Sequence, residues 1–341
     1  MRAIRVGLVG FGYWGEKLAR NIARNDILSL EAVADSDRSS LNKASLLYPG
    51  VQVFDDPLVM LKDRQIDAIV LASPAESHVR IGMAALEYDK DLFVEKPLAL
   101  DLASARDLVT RASELSRVLM VGHTFLYSSS VAYLKGHIES GELGEVRLIN
   151  SQRLLGQART DCDVLWDLAP HDVSIILHLL GNLPLEVKGH AQRNLRQQHA
   201  DTFFGHLMFA DGANANIHVG WVNPAKVRLL AVIGTCQMAL YDDIPVDRNV
   251  TISNSGIDGA AIERAGSDSD LDRRTGSSDL LIPRLATTEP LFSELEDFAN
   301  ACIMRESPMS SAEFGLQVTA VLEALHRSSL RDGERVKVEI V

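Results

Sequence analysis

The run Val6-Gly7-Leu8-Val9-Gly10-Phe11-Gly12-Tyr13-Trp14-Gly15 constrains the fold of this chain more than any other segment. An apolar stretch ends in glycines spaced G-x-G-x-x-G, and residues 16–24 then read as a helix. In that setting each glycine has its own task. Gly10 turns the chain sharply off a strand, Gly12 lets backbone approach a pyrophosphate, and Gly15 lets the helix pack close to the sheet. The phosphates then face the helix N-terminus, where unpaired N–H groups and the positive end of the dipole lie. Gly10, Phe11, Gly12, Tyr13, Trp14 and Gly15 are therefore cofactor-binding candidates. The spacing recurs by chance in many proteins, so its surroundings must support it. A second apolar run, residues 29–34, ends in Asp35, twenty residues after Gly15, where a carboxylate meets the ribose hydroxyls of NAD. Ser36 and Arg38 extend this set. Asp35 favours NAD, because a 2′-phosphate meets a like charge there, while Arg38 leaves NADP open by pairing a phosphate or stacking on adenine.

A chain of 341 residues is long enough for two domains. Its net charge of −12 argues against nucleic-acid binding, which needs clustered Lys and Arg. Cys162, Cys236 and Cys302 are too few for a disulfide framework and wrongly spaced for zinc, so the expectation is no metal and reduced, buried thiols in the cytoplasm. No stretch approaches the roughly 20 apolar residues that span a bilayer, and the N-terminal run, with Arg2 and Arg5, reads as a strand rather than a secretion signal.

Up to residue 122, strand-like runs at 4–9, 30–34, 51–54, 68–71, 91–94 and 119–121 alternate with helical patterns at 16–24, 39–47, 77–87 and 104–115. That alternation implies an α/β chain whose residues 1–122 form a Rossmann domain, a doubly wound parallel sheet that binds NAD(P). Its functional residues belong at the carboxyl ends of the strands. Residues 123–341 read differently. Alternating segments at 146–155, 187–193, 202–209, 213–218 and 227–233 imply a large, mostly antiparallel open sheet, interrupted by a helix from Asp167 to about residue 180 that stops at Gly181. This second domain is expected to bind substrate and to oligomerise. Residues 253–278, rich in Ser, Gly and Asp, read as a long exposed loop or lid, and helical patterns at 290–304 and 311–328 close the chain.

Three groups of residues bear chemistry. After the fourth run, Ser73-Pro74 and His78 suit cofactor contact, although His78 reads equally well as a capping or solvent-facing side chain. After the fifth run comes Glu95-Lys96-Pro97. A charged pair ending a buried strand is costly unless the charges are used or paired. The Lys96 ammonium suits a substrate oxygen that gains alkoxide character as hydride leaves. Glu95 suits holding the lysine or the cofactor, and Pro97 admits a cis peptide. The third group is Leu165-Trp166-Asp167-Leu168-Ala169-Pro170-His171-Asp172. Asp167 and His171, spaced i, i+4, share a helix face, with Asp167 read as the N-cap and Pro170 in the first turn. The dipole disfavours an imidazolium and neighbouring carboxylates favour it, which suits His171 to general-base work; the plain alternative is a capped helix with an exposed histidine.

Taken together, G-x-G-x-x-G with Asp35, Ser73-Pro74 with His78, Glu95-Lys96-Pro97, and Asp167-x-x-x-His171 resemble the glucose–fructose oxidoreductase, inositol dehydrogenase and rhizopine-catabolism (Gfo/Idh/MocA) family over nearly the whole chain. The resemblance implies a Rossmann domain followed by an α/β domain whose open sheet makes dimer or tetramer contacts. It also implies that Lys96 binds the reacting hydroxyl, that His171 takes its proton and that Asp167 orients the sugar or the base. The chain departs from the pattern at His123-Thr124-Phe125-Leu126-Tyr127 and at Val164-Leu165-Trp166. Both stretches are expected to line the substrate pocket, which makes His123, Tyr127 and Trp166 substrate-binding candidates beside Lys96, Asp167 and His171. The Trp-Asp-Leu-Ala-Pro-His-Asp variant is similar to members linked to nucleotide-sugar pathways.

The expectation is an NAD-dependent oxidoreductase moving hydride between nicotinamide and a secondary hydroxyl of a sugar, cyclitol or nucleotide-sugar, working as a homodimer or homotetramer with no nucleic-acid or membrane partner. The rivals are an NADP(H)-dependent ketosugar reductase and a non-catalytic dinucleotide-binding regulator of the same fold.

Overall fold

The computed structural model describes residues 3–156, 158–159, 162–195, 197–245, 249–257 and 279–340. The chain divides into two compact units, Met1–Tyr127 with Thr288–Ala320, and Ser128–Thr287 with Val321–Glu339.

The first unit is built on strands β1 (Ile4–Val9), β2 (Leu28–Ala34), β3 (Gln52–Phe54), β4 (Ala68–Leu71), β5 (Asp91–Glu95) and β6 (Leu119–Gly122). They pair in the order β3-β2-β1-β4-β5-β6, every pairing parallel. Every residue of β4 and β5 is buried, as expected of strands covered on both faces, so these runs show no alternation. Helices α1 (Tyr13–Ala23), α2 (Arg38–Leu47), α3 (Pro57–Met60), α4 (His78–Glu87) and α5 (Leu102–Glu114) connect them. Asp37 caps α2 by accepting from the Ser39 and Ser40 N–H groups, and Asp101 caps α5 by accepting from Ser104. The strand order reverses at β1 and β4, so the carboxyl ends there form the crevice that doubly wound sheets use for ligands.

The chain returns to this unit near its end. Leu291, Leu295, Phe298, Ala299 and Cys302 of the helix Pro290–Met304 pack with Val6, Leu8, Phe93 and Met120 of the sheet. The Phe93 and Phe298 rings meet edge to face, 5.8 Å between centroids.

The second unit contains helix α6 (Ser129–Glu139), strand β7 (Val146–Leu154), helix α7 (Val164–Leu180) and strands β8 (Glu186–Gln192), β9 (Thr202–Met208), β10 (Asn214–Gly220), β11 (Val227–Gly234), β12 (Met238–Asp242), β13 (Val250–Ser253), β14 (Leu280–Leu281) and β15 (Val336–Lys337). Among the described residues these nine strands form one sheet, β14-β13-β12-β11-β7-β10-β9-β8-β15, antiparallel except where β7 meets β10. One face is buried through Ile149, Phe203, Leu207, Ala215, Ile217 and Val219, and the intervening Asn150, Gln152, Phe204, His206, Asn216 and His218 turn to the other, more open face. The helix Pro290–Met304 is α8, and Ala312–Ser329, which follows it, is α9.

The structure corrects several expectations. Helix α7 begins at Val164, one turn before Asp167, because Asp163 is its N-cap, accepting from the Leu165 N–H at 3.0 Å and the Ala200 N–H at 3.0 Å. Asp167 is thus the fourth helical residue, and Pro170 sits inside the helix rather than in its first turn. The helix does stop at Gly181, whose φ of +72° suits glycine. Of the three thiols only Cys302 is buried, and Cys236 is exposed. The loop expected at 253–278 lies outside the described residues from 258 onward. Among the described residues no helix is long and apolar enough to cross a membrane.

Candidate active site

In the first unit the three glycines of the opening turn answer to three different constraints. Gly10 has φ of +91°, and a Cβ there would lie 2.6 Å from the Ala72 carbonyl oxygen. A Cβ on Gly15 would lie 2.0 Å from the Gly10 oxygen, so only glycine lets α1 start so close to the turn. A Cβ on Gly12 would meet nothing within 4 Å, which leaves that stretch of backbone open to an approaching group. Gly12 is also the N-cap of α1 and supplies no side-chain cap, so the helix presents its first N–H groups to an anion.

Asp35, at the end of β2, accepts from the Phe11 N–H at 2.6 Å and from the Asp37 N–H at 2.8 Å, tying the glycine turn to the next strand. Ser36 and Arg38 are exposed just beyond it, and Tyr13 is exposed with its hydroxyl 2.9 Å from Lys17 Nζ. The open Gly12 backbone, the uncapped helix and the carboxylate at the end of β2 fit the pyrophosphate and ribose of a dinucleotide.

The ends of β4 and β5 carry the next candidates. Ser73 and Pro74 follow β4, and His78 is buried rather than solvent-facing. Its Nδ1 lies 2.8 Å from the Pro97 carbonyl and its Nε2 2.9 Å from the Ser73 carbonyl, so one imidazole braces the loops after both strands. Burial pushes its pKa down although both carbonyls favour the cation. A neutral ring donates to one of the two oxygens.

Glu95 closes β5, almost fully buried. Its carboxylate accepts from the Trp14 indole N–H of the glycine turn and, at 3.3 Å, from the Lys96 N–H. A Cβ on Gly122 would lie 3.0 Å from Glu95 Oε2, so any larger residue there would press on the carboxylate. Burial pushes the Glu95 pKa up to about 7, against the opposing pull of Lys96 and the Trp14 hydrogen bond. Lys96 is half-buried, and the Lys96–Pro97 peptide is cis.

His123, just past β6, is buried edge-on against Phe314, 5.8 Å between centroids, with neither ring nitrogen hydrogen-bonded among the described residues. Burial, helped by Lys96, pushes its pKa down to about 3, so it is a neutral imidazole. The Tyr127 hydroxyl donates to Asp297 at 2.6 Å and so points at α8.

In the second unit, Asp167 and His171 lie one turn apart on α7. Asp167 accepts from Arg159 Nη1 at 3.3 Å and from the Trp221 indole at 3.3 Å. His171 is half-buried, and Trp166 is buried with its ring 6.3 Å from that of His326. His171 is the eighth residue of the helix, beyond the first turn where the macrodipole acts.

Sequence reasoning passed over two arrangements. Asp172, beside His171, is buried and accepts from Arg153 Nε at 2.9 Å, Arg153 Nη2 at 3.3 Å and Ser151 Oγ at 2.6 Å, pinning α7 to β7. The alternation of β7 puts Ser151 and Arg153 on its buried face, and a buried arginine implies an acid partner without saying which. In the first unit, Glu294 of α8 is fully buried and accepts from Thr124 Oγ1 at 2.7 Å. No local pattern marks it, since it meets its neighbours only through the returning helix.

Comparison with known proteins agrees with this architecture. Residues 4–123 match the model of an oxidoreductase family with an NAD-binding Rossmann fold, and residues 131–239 match the GFO/IDH/MocA C-terminal domain. The chain is 34% identical over 195 residues to an uncharacterized oxidoreductase of Escherichia coli, YdgJ, covering 54% of this chain and 55% of that one. It is 35% identical over 150 residues to an inositol 2-dehydrogenase of Mycolicibacterium smegmatis, covering 42% of this chain and 43% of the relative. It thus spans about half the length of the curated relatives it matches. Among solved structures, the UDP-N-acetylglucosamine 3-dehydrogenase GnnA of Acidithiobacillus ferrooxidans shares the fold, with a TM-score of 0.80 at 22% identity over 96% of this chain and 98% of that one. The fold is that of a two-part oxidoreductase with a Rossmann half and a mostly antiparallel half. The chain belongs to the Gfo/Idh/MocA family.

Proposed function

We propose that the protein is an NAD-dependent dehydrogenase that moves a hydride between nicotinamide and a secondary hydroxyl of a sugar, cyclitol or nucleotide-sugar. The observation that carries this reading is the carboxyl edge of the parallel sheet, where the open Gly12 turn after β1, Asp35 at the end of β2 and the buried Glu95 beside Lys96 at the end of β5 are tied together through the Phe11 N–H and the Trp14 indole. The inositol dehydrogenase relative and the nucleotide-sugar dehydrogenase of the same fold support the substrate class.

The glycine turn and the first N–H groups of α1 hold the pyrophosphate, and Asp35 holds the adenosine ribose, with Ser36 and Arg38 beside it. Ser73, Pro74 and Pro97 line the cofactor's path, with His78 fixing both loops. A bound nicotinamide supplies the hydride acceptor. Lys96 hydrogen-bonds the reacting oxygen and stabilises its growing negative charge. His171 accepts the hydroxyl proton, and Asp167 orients the sugar or the imidazole. His123, Tyr127 and Trp166 shape the substrate side. The open face of the nine-stranded sheet, which carries the exposed Phe204 and Leu240, serves as the contact of a homodimer or homotetramer in the cytoplasm.

The test is reduction of NAD by a panel of inositols, aldoses and nucleotide-sugars. Lys96→Met is expected to lower kcat roughly 10²–10³-fold, and His171→Ala roughly 10²–10⁴-fold, with NADH binding retained in both. Full activity in either variant overturns its assignment, and a strong preference for NADPH overturns the argument from Asp35.

A further inference from the structure

Two acids lie buried behind the glycine turn, and most of the groups that favour an anion surround one of them. Glu95 accepts two N–H hydrogen bonds and has the Lys96 ammonium beside it. Glu294 has one polar contact, the Thr124 hydroxyl on Oε2, and its Oε1 has no hydrogen-bond partner among the described residues. The charges that act on it are those of Glu95 from β5 and Asp297 one turn further along α8, both negative, while the His123 imidazole beyond β6 is neutral. Asp297 itself accepts from Tyr127 Oη and the Met309 N–H. A carboxylate taken out of water against two like charges, with no cation among the groups acting on it, keeps its proton. Burial and Glu95 accordingly hold the Glu294 pKa well above the usual carboxylate range.

The geometry has a consequence for the turn. Glu95 grips Trp14, the residue between Tyr13 and Gly15, so the set of the glycine turn depends on where the Glu95 carboxylate sits. Gly122 and Trp14 confine that carboxylate closely. We propose that Glu294 is a positioning residue for dinucleotide binding: as a neutral acid it leaves Glu95 the lone anion of the buried pocket, holding Trp14 and the turn in place, and loss of its proton sets the two carboxylates against each other and loosens the turn. The proposal rests on the reading that this turn binds a dinucleotide. Thr124 favours the ionised form by donating to it, so the two residues pull the proton in opposite directions.

The experiment is NADH affinity of the full chain by nicotinamide fluorescence from about pH 8, where Glu95 is ionised, to about pH 10.5, with thermal melting at each pH as a check on folding. The wild-type Kd is expected to rise with pH as Glu294 loses its proton, by about tenfold per pH unit, the slope of one proton. Glu294→Gln, which keeps the shape and cannot ionise, is expected to bind NADH as tightly at the alkaline end as at about pH 8. Thr124→Val, which takes away the hydrogen bond to the ionised form, is expected to move the rise to higher pH, and it tests the same acid should the glutamine variant fail to fold. A wild-type affinity that stays flat, or an alkaline limb unchanged in Glu294→Gln or in Thr124→Val, overturns the proposal. Absence of NADH binding by the wild type at every pH instead overturns the dinucleotide reading on which it rests.

Discussion

Removing the Asp172 carboxylate tests how α7, and with it His171, is held. The side chains of Arg153 and Asp172 are 5% and 3% exposed, and they meet through two N–H···O contacts of 2.9 and 3.3 Å. Asp172→Ala takes the anion away from a guanidinium that remains buried, together with the acceptor of the Ser151 hydroxyl at 2.6 Å. Breaking a buried pair in this way costs about 3–5 kcal/mol. For a unit of this size that is a fall in Tm of roughly 6–20 °C. Arg153→Met with Asp172→Leu removes both charges and keeps apolar volume, so the double variant is expected to regain most of the loss. Calorimetry and urea unfolding of the wild type, Arg153→Met, Asp172→Leu and the double variant close the cycle. A cost below about 1 kcal/mol for Asp172→Ala, or a double variant no more stable than the single ones, would refute the argument from the broken pair.

Two further outcomes follow from the same structure. His123 is neutral in the folded protein with its pKa near 3 and takes up a proton near its ordinary value of 6.5 once unfolded. The unfolded state therefore binds more protons between those values, and stability is lost as pH falls from about 6.5 towards about 3, by roughly 4–5 kcal/mol at the low end. His123→Phe is expected to flatten that acid slope in urea titrations at stepped pH, and an unchanged slope would remove His123 as its source. Sedimentation at assay concentration is expected to give a dimer or tetramer, reverting towards monomer in Phe204→Lys with Leu240→Lys on the open sheet face; a wild-type monomer would end the proposal for that face.

Local sequence determined a good deal of this protein. The parallel strands, their helices and the turn Gly10-Phe11-Gly12-Tyr13-Trp14-Gly15 follow from apolar runs and glycine spacing, because a strand covered on both faces and a backbone that must touch a ligand leave little choice of residue. The stop of α7 at Gly181 and the acid at the end of β2 are legible for the same reason. The start of α7 was misread because Asp163 and Asp167 are equally good caps on paper, and the choice fell to Asp163, which also binds the Ala200 N–H from a distant part of the chain. Tertiary structure alone decided that His78 spans two loops, that Asp172 rather than a neighbour answers Arg153, and that α8 brings Glu294 into the pocket of Glu95. A pattern along the chain reports which face of an element is apolar, but the partner of a buried charge is set by the few ångströms over which desolvation and Coulomb forces act, and those distances exist only once the chain has closed on itself.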